Sequence, residues 1–358
     1  MRPIGHLVRG NIVLHPALYA IGAAVLFGAS TPFAKLLLAD MAPLPLAASL
    51  YLGSGLGILP FLVRRRRLGE EAALRRADLP WLLGAIVAGG ILAPVALLYG
   101  LAQTPAETAS LLLNLEVVAT ALFALLLFRE GITLRVWTAI LVLVFASLLL
   151  SWNGGMLGVS PGALGIIAAT TLWGLDNNLT CVISGKDPLA IATLKGFLAG
   201  GVLAIAALVF TGPYPIPGSF LLAMLLGFFA YGLSTILFVL SLRHLGSTRT
   251  SSYFSIAPFA GALLSLIIFL QTPGILFLAA LVLMLAGVFL LVGETHTHPH
   301  RHYRMVHEHR HRHDDLHHPH HAGTQSEHTH PHQHEEAEHT HSHTADLHHR
   351  HKEKEKGN

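Results

Sequence analysis

Apolar residues run almost unbroken through ten stretches of this chain, set apart by short polar or glycine- and proline-bearing connections. The stretches cover 15–38, 45–63, 80–101, 106–128, 134–152, 161–182, 188–210, 218–242, 247–270 and 273–292. A helix needs about 20 predominantly apolar residues to cross the hydrocarbon core of a bilayer. The pattern therefore predicts an all-α integral membrane protein with ten transmembrane helices. Pro16, Pro45, Pro80, Pro161, Pro188 and Pro273 stand where a helix tolerates proline, at the first turn, whose N–H lacks an intrahelical partner anyway. Ser160 and Asp187, each just before such a proline, suit N-capping. Short connections make neighbouring helices antiparallel.

The ten stretches form two sets of five. Gly28-Ala29-Ser30-Thr31-Pro32 in the first answers Gly174-Leu175-Asp176-Asn177-Asn178 in the sixth, and 109–130 answers 250–271. Five crossings is an odd number, so the second set must enter the membrane from the opposite side. The result is two inverted five-helix repeats, 15–152 and 161–292, with a binding site expected near the midplane between them. Residues 1–14 form an N-terminal segment and 295–358 a C-terminal tail.

Composition agrees, with 53% hydrophobic and only 12% charged residues, against about 25% charged in soluble domains. The net charge of +3 matters less than its placement. Arg64 to Arg67, Arg75, Arg76, Arg129, Arg135, Lys186, Arg243 and Arg249 fall in alternate connections, whereas those near Asp40, Gln103, Asn153, Pro215 and Thr272 lack clear basic residues. The bias of Lys and Arg toward the cytoplasm then puts both termini inside, as in a bacterial inner-membrane protein. Arg2 and Arg9 precede an apolar run too long for a cleaved signal peptide, so the first helix is retained. Cys181 is the single cysteine, which excludes an internal disulfide framework.

The tandem repeat, the stretch Trp173-Gly174-Leu175-Asp176-Asn177-Asn178-Leu179-Thr180 and the acidic end of the fourth helix at Arg129-Glu130-Gly131 resemble the EamA type of the drug/metabolite transporter superfamily. The resemblance covers 15–292. It implies a ten-helix carrier of small metabolites or toxic compounds, with no particular substrate. Val117 stands where the second repeat has Pro258, which removes the proline on which a kink in the fourth helix would rest.

A charge at the bilayer centre costs about 2.5–3.5 kcal/mol on insertion scales, so each one needs a reason. Glu116 lies roughly 15 Å into the fourth helix, at about 1.5 Å per residue, with Thr120 one turn further on. It is a candidate cation ligand or proton carrier; the plainer reading is a protonated acid bonded to backbone. Asp176 and Lys195 lie at matching depths in consecutive helices and could pair, for transport or merely to pin the two helices. Asn177, Asn178, Thr180 and Trp173 extend this patch as candidate substrate contacts, and Asn114 joins them with less to support it. Amides between membrane helices also serve simply as glue.

The tail holds 22 of the 25 histidines. His296, His298, His300, His302, His307, His309, His311, His313, His328, His330, His332 and His334 are candidate ligands for a divalent transition metal: Zn, Ni, Co or Cu. With too few apolar residues for a core, the tail is expected to be disordered without metal. His307-Glu308-His309-Arg310-His311 matches H-E-x-x-H, but histidine at alternate positions produces that match by chance, outside any folded protease.

The sequence therefore points to a secondary carrier of a small solute, a metabolite or toxic compound or else a transition metal ion or its chelate, working by alternating access rather than as an enzyme. No G-x-x-x-x-G-K-[ST] nucleotide loop occurs. Its partners are the lipid bilayer, the solute, protons as a candidate coupling ion and a second copy as a candidate dimer mate; nucleic acid is not expected. The rival reading is a membrane-anchored metal sensor or buffer that uses the tail and transports nothing.

Overall fold

The computed structural model describes residues 15–66, 71–128, 133–151, 160–212 and 218–292, and in the tail the backbone of 296–302, 305–311, 328–334 and 337–343. The first stretch forms α1 (Pro16–Gly28) and α2 (Ser30–Leu37), with a break at Ala29. Pro32 has no N–H to give Gly28, so the helix turns a corner where that bond is missing. The second stretch is one helix, α3 (Pro43–Arg66).

The third stretch opens with a 3₁₀ turn at Arg76–Asp78, continues as α4 (Leu79–Ala85), widens into a π-helical segment at Ile86–Leu92 and ends as α5 (Ala93–Ala102). The fourth is again broken, into α6 (Ala106–Leu112) and α7 (Leu115–Phe128), and is followed by α8 (Leu134–Ser151). Then come α9 (Pro161–Ile183) and α10 (Pro188–Thr211), capped as expected: Ser160 Oγ accepts from Ala163 N–H and Asp187 Oδ1 from Leu189 N–H. The eighth stretch carries α11 (Ser219–Gly227), a second π-helical segment at Phe228–Leu233 and most of α12 (Ser234–Phe254). Gly246, at φ 72° and ψ 179°, makes a sharp corner within α12, in a region of backbone space that glycine occupies freely. The remainder of α12 leads through a break at residues 255–256 into α13 (Ala257–Phe269), and α14 (Ile275–Val292) closes the bundle.

Among the described residues, seven helical runs are long and apolar enough to cross a membrane, the last of them the 51-residue Ser219–Phe269 that Gly246 bends in two. Pro161–Ile183 is diluted by its polar patch, and Ile275–Leu291 is shorter. The molecule is an integral multi-pass membrane protein. Its outward faces present large apolar side chains, Leu126, Leu134, Phe210 and Phe289 among them, as a surface against lipid requires.

The fourth stretch corrects the expectation drawn from Val117. It breaks at Leu113 and Asn114 without a proline, because Leu113, Asn114 and Glu116 each give their N–H to the carbonyl three residues back. The Asn114 side chain also donates to Leu111 O at 3.3 Å, competing for a backbone acceptor.

The two sets of five share these irregularities: π-helical segments in the third and eighth stretches, breaks in the fourth and ninth. Their contacts match as well. α3 packs on α10, α6 on α13 and α8 on α14, while α1 packs on α12 and α13 as α9 packs on α5 and α7. Exchanging the halves leaves this list of contacts unchanged. Small residues make the central contact close: a Cβ on Gly196 would lie 2.6 Å from Gly55 Cα, whereas one on Gly201 would meet nothing within 4 Å.

Charges tie one end of the bundle. Glu71, its side chain almost fully buried, accepts from Arg65 at 3.0 Å and Arg243 at 3.1 Å. Arg243 also donates to Ser184 O and Lys186 O, both at 2.9 Å, at the end of α9. Lys186 lies 3.7 Å from Asp78, and Asp187 N–H bonds Ala72 O at 3.0 Å. At the other end, Lys35 Nζ donates to Leu101 O (2.6 Å), Ala102 O (3.2 Å) and Thr104 O (2.9 Å), so it caps α5 in addition to standing near the bilayer edge.

In the tail, β1 (His296–His302) pairs antiparallel with β4 (Ala337–His343), and β2 (Met305–His311) with β3 (His328–His334). The tail side chains lie outside the described residues, and so do the rest of the tail, residues 1–14 and Arg129-Glu130-Gly131.

Candidate functional site

The π-helical segment in the third stretch sets up the site. Ala93 N–H bonds Ala88 O, five residues back, and Pro94, which in that register would serve Gly89 O, has no N–H. Gly89 O is thereby left to side chains from elsewhere: Tyr51 OH donates to it at 2.7 Å and Trp173 Nε1 at 3.0 Å. A widened turn with a freed carbonyl is a recurring feature of functional sites. The absence of a side chain at Gly89 also makes room for the Asp176 carboxylate, which a Cβ there would strike.

Asp176 pairs with Lys195, as their depths led one to expect. Both are buried, and Thr180 Oγ1 donates to the second Asp176 oxygen at 2.9 Å. The pair joins α9 to α10 beneath the π-helical turn. Glu116 sits in the first turn of α7, so the break that begins this half-helix places a carboxylate near the positive end of its dipole. Asn177 Nδ2 donates to Glu116 Oε1 at 2.8 Å and approaches Thr120 Oγ1 at 3.1 Å; Thr120 in turn donates to Glu116 O at 2.8 Å.

These groups border a cavity of about 70 Å³, room for several waters or a small solute by the measure in which one water needs about 10–15 Å³. Glu116, Trp173, Asp176, Asn177, Thr180 and Lys195 line it from the expected set. Phe27, Tyr51, Tyr231, Phe238 and Phe254 complete the wall, with Ala230, Ser234, Thr235 and Val239. Phe27 is the hub of the aromatic side, its ring centroid 5.3 Å from Trp173, 5.7 Å from Tyr231 and 5.4 Å from Phe254.

Three expected residues lie behind this wall. Asn178, fully buried, donates to Thr120 O (3.0 Å) and Gly174 O (2.9 Å) and accepts from Ser247 Oγ (3.1 Å), fastening α9 to α7 and α12. Thr120 holds Asn177 in place. Asn114 borders a separate hollow of about 10 Å³ and reaches Met284 Sδ at 3.7 Å. The aromatic residues were missed because no motif joins them; they come from four separate stretches, and only Phe27, beside the repeated segment at Gly28, had a nearby signal.

The tail's candidate ligands, from His296 to His334, have no described side chains. Among the described residues no group of three His, Cys, Asp or Glu is placed to hold a metal.

The sequence profile of the EamA-like transporter family matches this chain twice, at 15–152 and 160–293. An uncharacterized transporter from Methanothermobacter thermautotrophicus is 29% identical over 290 residues, spanning 76% of this chain and 84% of that protein. One solved crystal structure superposes with a TM-score of 0.60 at 18% identity, over 78% of this chain and 98% of its own, a likeness of fold.

Proposed function

This chain belongs to the EamA-like transporter family, and from that premise we propose that it is a secondary carrier, moving a small solute by alternating access around the Glu116, Asp176 and Lys195 cavity. The observation that carries the reading is a charge-bearing cavity enclosed by both halves of a bundle whose contacts obey two-fold exchange. Ionisable groups inside a membrane bundle are costly and mark solute and ion pathways.

In this reading ten helices cross the bilayer as two inverted repeats of five. The halves rock against each other across the α3–α10, α6–α13 and α8–α14 contacts, and the broken and π-helical stretches give way as they do so. The end carrying Arg64, Arg65, Arg75, Arg76, Lys186 and Arg243 faces the cytoplasm, which brings both termini inside and suits a bacterial inner membrane. Glu116 is the candidate carrier of a coupling proton. The test is counterflow by the full-length chain in vesicles, with a panel of labelled amines, amino acids, sugars and metal chelates, with and without a pH gradient. Saturable, protein-dependent exchange of one class supports the proposal; no exchange across the panel ends it.

For the tail we propose binding of Zn, Ni, Co or Cu, on the strength of its histidine density. Deleting 295–358 separates the two roles. If metal titration by calorimetry loses its signal while counterflow persists, the tail is an accessory. If metal tolerance falls with the tail and is untouched by Glu116→Gln, the sensor reading replaces the carrier.

A further inference from the structure

We infer that the cargo is a small organic cation, an amine or quaternary ammonium, held between Glu116 and the aromatic wall built on Phe27. This rests on the carrier reading and names the class of its solute.

Two carboxylates and one ammonium line the cavity, and the ammonium of Lys195 is committed to Asp176. Glu116 forms no ion pair among the described residues, and Lys195 acts on it only from its place against Asp176. Its Oε1 accepts from Asn177, and its second oxygen receives no protein donor there. An ionised carboxylate so placed lacks the counter-charge that burial demands, and a cation entering the cavity supplies it.

The aromatic part of the lining offers what an organic cation recognises. Phe27, Trp173, Tyr231 and Phe254 form one connected ring cluster, and Tyr51 joins it through Tyr231 at 5.2 Å. Aromatic faces attract ammonium groups by their quadrupoles, and quaternary ammonium is the type best served by a cage of rings.

Other solute classes fit less well. An anion would meet two carboxyl groups and a lysine that is already paired. A transition metal would find no histidine or cysteine among the lining residues.

Calorimetric titration of the full-length protein in lipid nanodiscs tests this with choline and with 3,3-dimethyl-1-butanol, which replaces the quaternary nitrogen by carbon at the same shape. Choline is expected to bind saturably and the alcohol at least about tenfold more weakly. Glu116→Gln should weaken choline by about tenfold or more while Glu116→Asp retains binding, and Phe27→Leu should weaken it several-fold. Equal binding of alcohol and choline, unchanged binding in a folded Glu116→Gln, or preference for butyrate would each overturn the inference. Counterflow of a non-cationic solute alone removes this inference and leaves the carrier standing. Choline binding with no counterflow of any solute removes the carrier and leaves the cation site.

Discussion

Lys195 and Asp176 are worth more as a pair than either is alone. Removing one partner of a buried ion pair leaves an uncompensated charge and costs about 3–5 kcal/mol, whereas removing both together can be nearly neutral. Lys195→Met is therefore expected to lower the melting temperature clearly, and Lys195→Met with Asp176→Asn to recover most of the loss. Thermal unfolding in one detergent checks this, and a double variant no better than the single would place the ammonium elsewhere. Two glycines provide a sharper contrast. Gly89→Ala puts a methyl against the Asp176 carboxylate and should abolish counterflow. Gly201→Ala meets nothing within 4 Å and should leave counterflow unchanged, with helix stability improved by up to about 1 kcal/mol.

At the scale of the element, the broken helices explain how polar groups are afforded inside an apolar bundle. Each interruption frees a backbone group or a helix end and turns it toward a side chain: Gly89 O toward Tyr51 and Trp173, the start of α7 toward Glu116. Pro94→Ala restores an N–H that can bond within the helix and compete for that carbonyl. It should weaken solute exchange several-fold while the protein stays folded by thermal melt; full activity would show that the freed carbonyl has no part in the site. The same logic accounts for Asn114, whose amide bonds to Leu111 O at the break.

At the scale of the molecule, the network of Glu71, Arg65 and Arg243 spans the end of α3, the α9–α10 turn and α12. A carrier can open at that end only by parting these elements. Arg243→Ala removes the bonds to Ser184 O, Lys186 O and Glu71 together, and it should speed labelling of Cys181, the single cysteine, by a maleimide. An unchanged labelling rate would mean that the network ties loops without restraining access. Orientation is a separate matter. Impermeant reagents applied to sealed cells should miss a cysteine placed at Arg75 and reach one placed at Asp40; the reverse result inverts the whole assignment.

The sequence by itself was enough for the class of protein, the positions of its helical stretches, the pairing of Asp176 with Lys195 and the burial of Glu116 within the bundle. Each of these follows from local quantities: the length of an apolar run, or the cost of a charge at a given depth. The aromatic wall, the freed Gly89 carbonyl, the kink of the fourth stretch without a proline and the capping role of Lys35 required the tertiary structure. All four depend on groups far apart in the chain, brought together by packing. An aromatic residue in an apolar helix reads the same whether it faces lipid, a neighbouring helix or a cavity, until the bundle decides which.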